Sequence, residues 1–135
     1  MLRYLGNAHP TIGLLPLRIV LATVFLMHGG VKLFVWGLAG TTGAMDSMGI
    51  PLPAVSAFLV TVVELAGGLA ILLGYKIPWA ALLLAGDMTV AILAVKLKGG
   101  FFAPSGAELE LTLLGGLLTL ALLGTGRTPP RVEST

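Results

Sequence analysis

Ionisable side chains lie inside the long apolar runs of this chain. Four such runs can be drawn, and the second, AVSAFLVTVVELAGGLAILLG from residue 54, carries Glu64 at its middle. A charge at the centre of a lipid bilayer costs about 2.5 to 3.5 kcal/mol on insertion scales, so such residues normally face the protein interior. The pattern predicts a polar site within a membrane protein. Its candidate ligand-pocket residues are Arg18, His28, Lys32, Glu64, Asp87 and Glu110.

The composition also indicates a membrane protein. Hydrophobic residues make up 56% of the 135 residues and charged residues only 10%, and the mean hydropathy is +1.00. A soluble domain carries about 25% charged residues, so this chain could not cover a water-facing surface. The apolar runs are about 18 to 22 residues long, which is enough to cross a hydrocarbon layer of ~30 Å. We therefore expect a small multi-pass protein in contact with the lipid bilayer.

Charge and residue types exclude several classes of function. The net charge is +2, and the basic residues are scattered singly, which does not favour nucleic-acid binding. The chain has no cysteine, so disulfides, thiolate metal sites and a thiol relay of its own are excluded. A di-metal carboxylate bundle needs Glu-x-x-His pairs on two helices, whereas the histidines here are His28 and His9, the latter outside the apolar runs. We expect no metal site.

The order of runs and breaks predicts an all-α fold in a single domain. Four transmembrane helices in an antiparallel bundle are expected at about residues 12–34, 54–73, 79–97 and 107–123. The break GYKIP between the second and third helices is so short that these two must form a hairpin. Residues 36–53 contain many glycines and prolines and are expected to form a loop. The tail, residues 124–135, has the composition of a disordered segment.

The basic residues predict an orientation. Four spans put both termini on one side of the membrane. The basic residues expected on that side are Arg3, Lys76, Arg127 and Arg131, with Arg18 near it. The other side collects Lys32, Lys96 and Lys98. Because cytoplasmic loops carry the excess of Lys and Arg, both termini are expected in the cytoplasm.

One face of the first helix carries three basic or ionisable side chains. At about 100° per residue, Arg18, His28 and Lys32 fall within an arc of roughly 80°, which predicts a stripe facing inward. By depth, Glu64 and Asp87 fall near mid-membrane and Glu110 near the outer end. We therefore expect Lys32 and His28 to reach Glu110, and Glu64 to reach His28.

Two other interpretations of these charges stay open. The ion pairs can serve only to fix the register of the helices. Arg18 and Lys32 lie near helix ends and can extend their head groups to the lipid surface.

Three segments resemble the DoxX family of small membrane proteins. LRIVLATVFLMHGGVKLF at residues 17–34 resembles the family's opening helix, with an Arg at its start and a Gly before a Lys. MGIPLPAVSAFLVTVVELAGGLAILLG at 48–74 resembles its G-x-P … E-x-x-G-G segment. FFAPSGAELELTLL at 101–114 resembles an aromatic loop that leads to a Glu of the fourth helix. The order and spacing of the three make the resemblance specific.

The resemblance implies a four-helix membrane protein in which Arg18, Lys32, Glu64 and Glu110 occupy motif positions. Members of the family have been linked to thiosulfate:quinone oxidoreductase, to quinone or thiol stress responses and to membrane redox complexes. The chain departs from the family pattern at its end, where LLGTGRTPP replaces a Gly-x-Gly followed by Ser-x-Asp.

The leading functional hypothesis is a redox-associated protein of the cell inner membrane that holds a small apolar or quinone-like ligand. His28 and Glu64 would form hydrogen bonds with the quinone oxygens and transfer protons. Lys32 and Glu110 would form the polar entrance of the site, and Arg18 would be a structural or charge partner. No residue of the chain carries electrons, so a bound cofactor or a redox partner protein is needed, as in a subunit of a quinone-linked oxidoreductase. The competing hypothesis is a non-enzymatic assembly factor or subunit. A transporter ranks third, since four spans make a small pathway unless the chain forms a homo-oligomer.

Overall fold

The computed structural model describes residues 10–124, and all regular secondary structure in this part of the chain is helical. The α-helices are α1 (Pro10–Gly30), α2 (Gly37–Ser47), α3 (Pro53–Leu73), α4 (Ile77–Ala94) and α5 (Glu108–Leu123). A π-helix, Val31–Val35, continues α1, and a 3-10 helix, Lys96–Gly99, follows α4. The all-α prediction is confirmed. The predictions for Arg3, His9, Arg127, Arg131 and most of the 124–135 tail fall on residues outside the described range.

Three segments are long and apolar enough to cross a membrane. They are Thr11–Val35, Pro53–Leu73 and Ile77–Ala94, with 25, 21 and 18 residues. The fourth predicted span, 107–123, corresponds to α5, which has 16 residues and is therefore about 24 Å long. The described residues thus contain three candidate spans where the sequence predicted four.

The buried core lies where α1, α3, α4 and α5 meet. Its most deeply buried side chains include Phe25, Ile71, Leu84, Leu117 and Leu120. Large apolar side chains on the outward faces remain exposed, as expected of helices that contact lipid. The core therefore joins helices from both halves of the chain.

Two glycines bring α1 against α3. A Cβ on Gly29 would lie 2.8 Å from Cγ of Leu65 and 3.2 Å from Cβ of Glu64. A Cβ on Gly68 would lie 3.3 Å from the backbone nitrogen of Leu26. Small residues at these positions let the two backbones approach closely, which is how membrane helices gain packing energy.

The predicted loop at 36–53 is wrong over most of its length, because Gly37–Ser47 forms α2. Thr41 and Met45 lie four residues apart, on one face of this helix, and both are buried. The hydroxyl of Thr41 donates to the backbone oxygens of Lys32 (3.0 Å) and Gly37 (2.9 Å). Packing on the other helices and these hydrogen bonds stabilise a helix that glycine propensity alone would disfavour.

Candidate functional site

Lys32 lies in the π-helix that continues α1. The backbone N–H of Trp36 donates to the oxygen of Val31 at 2.9 Å, one residue further back than in an α-helix. The oxygen of Lys32 is therefore left free of that bond, and it accepts the hydroxyl of Thr41 instead. This contact ties α2 to the end of α1. π-Helical turns within α-helices are frequent at functional sites.

Lys32 forms a buried ion pair with Glu64 of α3. Its Nζ lies 2.7 Å from Oε2 of Glu64, and the side chains are 15% and 4% exposed. The missing side chain of Gly29 permits this contact, because Gly29 lies against Cβ of Glu64. The predicted pairing of Lys32 with Glu110 is wrong, since Glu64 is the partner. The error arose because depth along a helix axis does not determine which neighbouring helix a side chain faces.

Asp87 of α4 is the third charged member of this group. Its carboxyl group interacts electrostatically with the side chains of Glu64 and Lys32. Its Oδ2 atom is buried and has no hydrogen-bond partner among the described residues. One ammonium group and two carboxyl groups therefore meet between α1, α3 and α4. We call these three residues, Lys32, Glu64 and Asp87, the central cluster.

Glu110 of α5 pairs with Lys96 rather than with Lys32. Nζ of Lys96 lies 3.2 Å from Oε1 of Glu110 and also donates to the backbone oxygen of Pro104 at 2.9 Å. Glu110 is 8% exposed, and its Oε2 has no hydrogen-bond partner in the described part of the chain. The sequence had assigned Lys96 only to the charge of one membrane side. Lys96 and Glu110 are 14 residues apart in the sequence, on either side of a glycine-rich loop. Nothing in this spacing indicates that they form an ion pair.

Arg18 lies in the first half of α1, away from the central cluster. Its guanidinium group donates to the backbone oxygens of Ile71 (3.1 Å) and Leu72 (3.3 Å) at the end of α3. The last carbonyl groups of a helix have no partner within that helix, so Arg18 completes their hydrogen bonding. Gly74, at φ 77°, makes room for the guanidinium group. The structure therefore separates Arg18 from the other predicted site residues, and the role as structural partner fits its contacts.

His28 lies at the rim of the site. Its side chain is exposed, so the expected inward orientation is wrong for this member of the stripe. Arg18 and Lys32, the other two members, both contact α3. His28 nevertheless lines both the main cleft and a smaller cavity of about 220 Å³, which Val31, Lys32 and Trp36 also line. The expected contact of Glu64 with His28 is replaced by the ion pair with Lys32.

All the predicted site residues except Arg18 line a cleft of about 450 Å³. Its polar lining comprises Ser56 and the side chains of His28, Lys32, Glu64, Asp87, Lys96 and Glu110. Its apolar lining includes Trp36, Met45, Met48, Leu59, Val60 and Met88. This volume lies within the range of about 300 to 1,000 Å³ that small-molecule sites occupy, and a few polar groups among apolar walls are typical of such sites.

Sequence reasoning missed the methionine wall of the cleft. Met45 and Met48 lie in the segment that the sequence predicts as a loop, and Met88 lies on α4. Methionine is flexible and polarisable, so it adapts to flat apolar ligands as readily as to a protein core. Among residues 10–124, no group of three His, Cys, Asp or Glu residues is arranged to hold a metal ion.

Comparison with known proteins gives a consistent result. The family model described as DoxX matches residues 13–97. The chain is similar to the Bacillus subtilis protein named "Putative oxidoreductase CatD", with 34% identity over 114 residues that cover 84% of this chain and 81% of the relative. It is also similar to "Inner membrane protein YqjF" of Escherichia coli, with 37% identity over 122 residues, 85% of this chain and 86% of the relative.

A third relative is "Inner membrane protein YphA" of Escherichia coli, with 29% identity over 133 residues that cover 93% of each chain. No solved structure matches this chain significantly. Two of these relatives are named as inner membrane proteins, in agreement with the long apolar helices. The family match extends over more than half of the chain and includes α1 to α4, with Lys32, Glu64 and Asp87. This protein belongs to the DoxX family.

Proposed function

We propose that the protein binds a small quinone-like ligand in the cleft and acts as a redox-associated component of the cell inner membrane. The observation that carries this proposal is the central cluster, Lys32, Glu64 and Asp87, at the wall of a cleft of about 450 Å³ whose other walls are largely apolar. Flat apolar ligands with polar oxygens need a site that has both apolar walls and polar groups. The apolar walls bury the ring, and the polar groups orient the oxygens.

The central cluster has the composition needed to exchange a proton. With Lys32 charged and both carboxyl groups ionised, its net charge is one negative unit, and one bound proton makes it neutral. The ammonium group of Lys32 has three N–H donors and uses one of them for Glu64. The others are available to a ligand oxygen. Glu64 and Asp87 are the proton-handling groups in this proposal, and His28 at the rim connects the cleft with the exterior.

The redox part of the proposal is supported by one relative, whose printed name calls it an oxidoreductase. No residue of this chain supplies an electron carrier, so electrons must come from a bound cofactor or from a partner protein. The ligand itself is the redox-active group. The protein's own residues bind it, orient it and hold or release protons beside it.

A second candidate function is a non-enzymatic subunit or assembly factor of the membrane. The ion pairs favour it, because Lys32–Glu64 joins α1 to α3 and Lys96–Glu110 joins the segment after α4 to α5. Buried ion pairs of this kind can specify which helices pack together. In this case the cleft would carry no ligand, and exposed apolar faces would contact another protein or a second copy of the chain.

The membrane topology forms part of the proposal. We infer that α5 is a fourth crossing and that α1, α3, α4 and α5 form an antiparallel bundle with both termini in the cytoplasm. With α5 crossing, a reporter after Thr135 lies on the same side as one inserted at Tyr75, between α3 and α4. A reporter between α2 and α3 lies on the other side.

We expect cytoplasmic fluorescence from green fluorescent protein at Thr135, and phosphatase activity only from an insertion at Gly49. A Thr135 reporter on the side opposite to Tyr75 would show that α5 does not cross. Periplasmic reporters at both Tyr75 and Thr135 would reverse the orientation and leave the four crossings intact.

Co-purification tests the ligand directly. Protein isolated in mild detergent and extracted with solvent should release a quinone-like molecule that mass spectrometry detects in an amount comparable to the protein. Val60→Trp fills the cleft and should abolish this release. Leu69→Trp is the matched control, because it adds the same side chain to an exposed position of the same helix. Equal release from both variants, or none from the unaltered protein, contradicts the proposal.

A further inference from the structure

Two buried carboxyl oxygens of the cleft have no hydrogen-bond partner among residues 10–124. They are Oδ2 of Asp87 and Oε2 of Glu110. Both residues line the cleft, and Glu110 is 8% exposed. A buried carboxyl oxygen without a donor is unfavourable, because it has lost its hydration and gained no bond in return. A ligand that donates hydrogen bonds to these oxygens would therefore be stabilised strongly.

Two basic groups of the cleft, Lys32 and Lys96, each donate a hydrogen bond within the protein. Lys32 donates to Glu64 at 2.7 Å. Lys96 contacts Oε1 of Glu110 and donates to the backbone oxygen of Pro104. A carboxyl oxygen that carries no proton can only accept hydrogen bonds. The buried side-chain atoms of the cleft that lack a partner in the described part of the chain are both carboxyl oxygens.

We infer that the cleft binds the reduced, hydroxyl-bearing form of a quinone-like ligand more tightly than the oxidised form. This inference rests on the proposed function and concerns binding alone. A quinone presents carbonyl oxygens, which are acceptors and would face further acceptors at Asp87 and Glu110. A hydroquinone presents O–H donors on a ring of the same shape. A neutral hydroxyl also costs less to desolvate between apolar walls than an ammonium group does.

Three probes with the same decyl tail test the preference. They are a benzoquinone, its hydroquinone kept reduced under argon, and the bis-methyl ether of that hydroquinone, which has no O–H group. Equilibrium binding is measured on the full chain in nanodiscs, with empty nanodiscs subtracted. We expect the hydroquinone to bind at least about tenfold more tightly than either other probe, as one added hydrogen bond to a charged acceptor implies.

Variants locate the effect. Asp87→Asn keeps the shape but replaces one oxygen with an amide group that donates. The ratio of hydroquinone to quinone affinity should fall by about tenfold in this variant. Glu108→Gln is the matched control, because Glu108 is exposed, does not line the cleft and accepts the backbone N–H of Ala103 at 3.0 Å. Its affinity ratio should equal that of the unaltered protein.

The outcomes separate this inference from the proposed function. Equal binding of quinone and hydroquinone, or tighter binding of the quinone, overturns the preference and leaves the ligand site standing. A decylammonium probe that binds more tightly than the hydroquinone overturns the choice of a hydroxyl donor. Failure of every probe to bind overturns the proposed function itself. Should Asp87→Asn fail to insert, the three-probe comparison on the unaltered protein decides alone.

Discussion

Lys32→Met is expected to lower the free energy of unfolding by about 3 to 5 kcal/mol, because it leaves the carboxylate of Glu64 buried without its cation. Glu64 is 4% exposed and Lys32 is 15% exposed, so water can replace little of the lost interaction. The double variant Lys32→Met with Glu64→Met should recover much of the loss, since two apolar side chains of similar size then meet. Unfolding of the detergent-solubilised protein by increasing SDS measures these free energies.

A second pair of variants serves as the control for this double-mutant cycle. Lys32→Met combined with Glu110→Met should be additive, because Glu110 contacts Lys96 and not Lys32. Additivity within experimental error is expected for sites without a shared partner. Additive behaviour of Lys32 with Glu64, or strong coupling of Lys32 with Glu110, would contradict the ion pairs described above.

Glu64→Gln is expected to weaken retention of the proposed ligand by at least about tenfold, the loss expected for a hydrogen bond to a charged group. Glutamine keeps an acceptor for Lys32 but loses the negative charge and the capacity to exchange a proton. The stability cost should be smaller than for Lys32→Met, because the amide oxygen still accepts from Lys32. The carboxyl group of Asp87 also lies beside it. The measurement is the amount of ligand co-purified per protein, with helical content checked by circular dichroism.

The control for this substitution is Glu108→Gln, which makes the same chemical change at an exposed position of α5. It should retain ligand as the unaltered protein does. Full retention in Glu64→Gln, with the fold intact, would remove proton exchange at Glu64 from the mechanism. That result would favour the role of the central cluster as a connector of helices.

The two experiments separate binding from scaffolding. A cluster that only joins helices should show the full energetic coupling of Lys32 and Glu64 with no effect of Glu64→Gln on any bound molecule. A ligand site should show both effects. Arg18 offers a further contrast, since it contacts the oxygens of Ile71 and Leu72 at the end of α3, away from the central cluster. Its substitution should affect stability alone.

The segment between α1 and α3 illustrates a limit of sequence reasoning. Its glycines indicate turns, and a segment of this composition would not form a stable helix in water. The helix α2 forms because Thr41 and Met45 bury one face and because Thr41 bonds to the oxygen of Lys32. The π-helix leaves that oxygen without the bond from Trp36 that an α-helix would make. No local property of residues 36–53 predicts this arrangement.

The sequence by itself determined the helical class, the membrane location and the residues Lys32, Glu64, Asp87 and Glu110 as inward-facing polar groups. The reason is that the cost of placing a charge in lipid is large and applies to each residue separately. The tertiary structure alone decided which charges pair, because pairing depends on helix rotation, on the close approach at Gly29 and on the π-helix before Trp36. Each of these is a property of two packed elements, whereas periodicity and composition describe one element at a time.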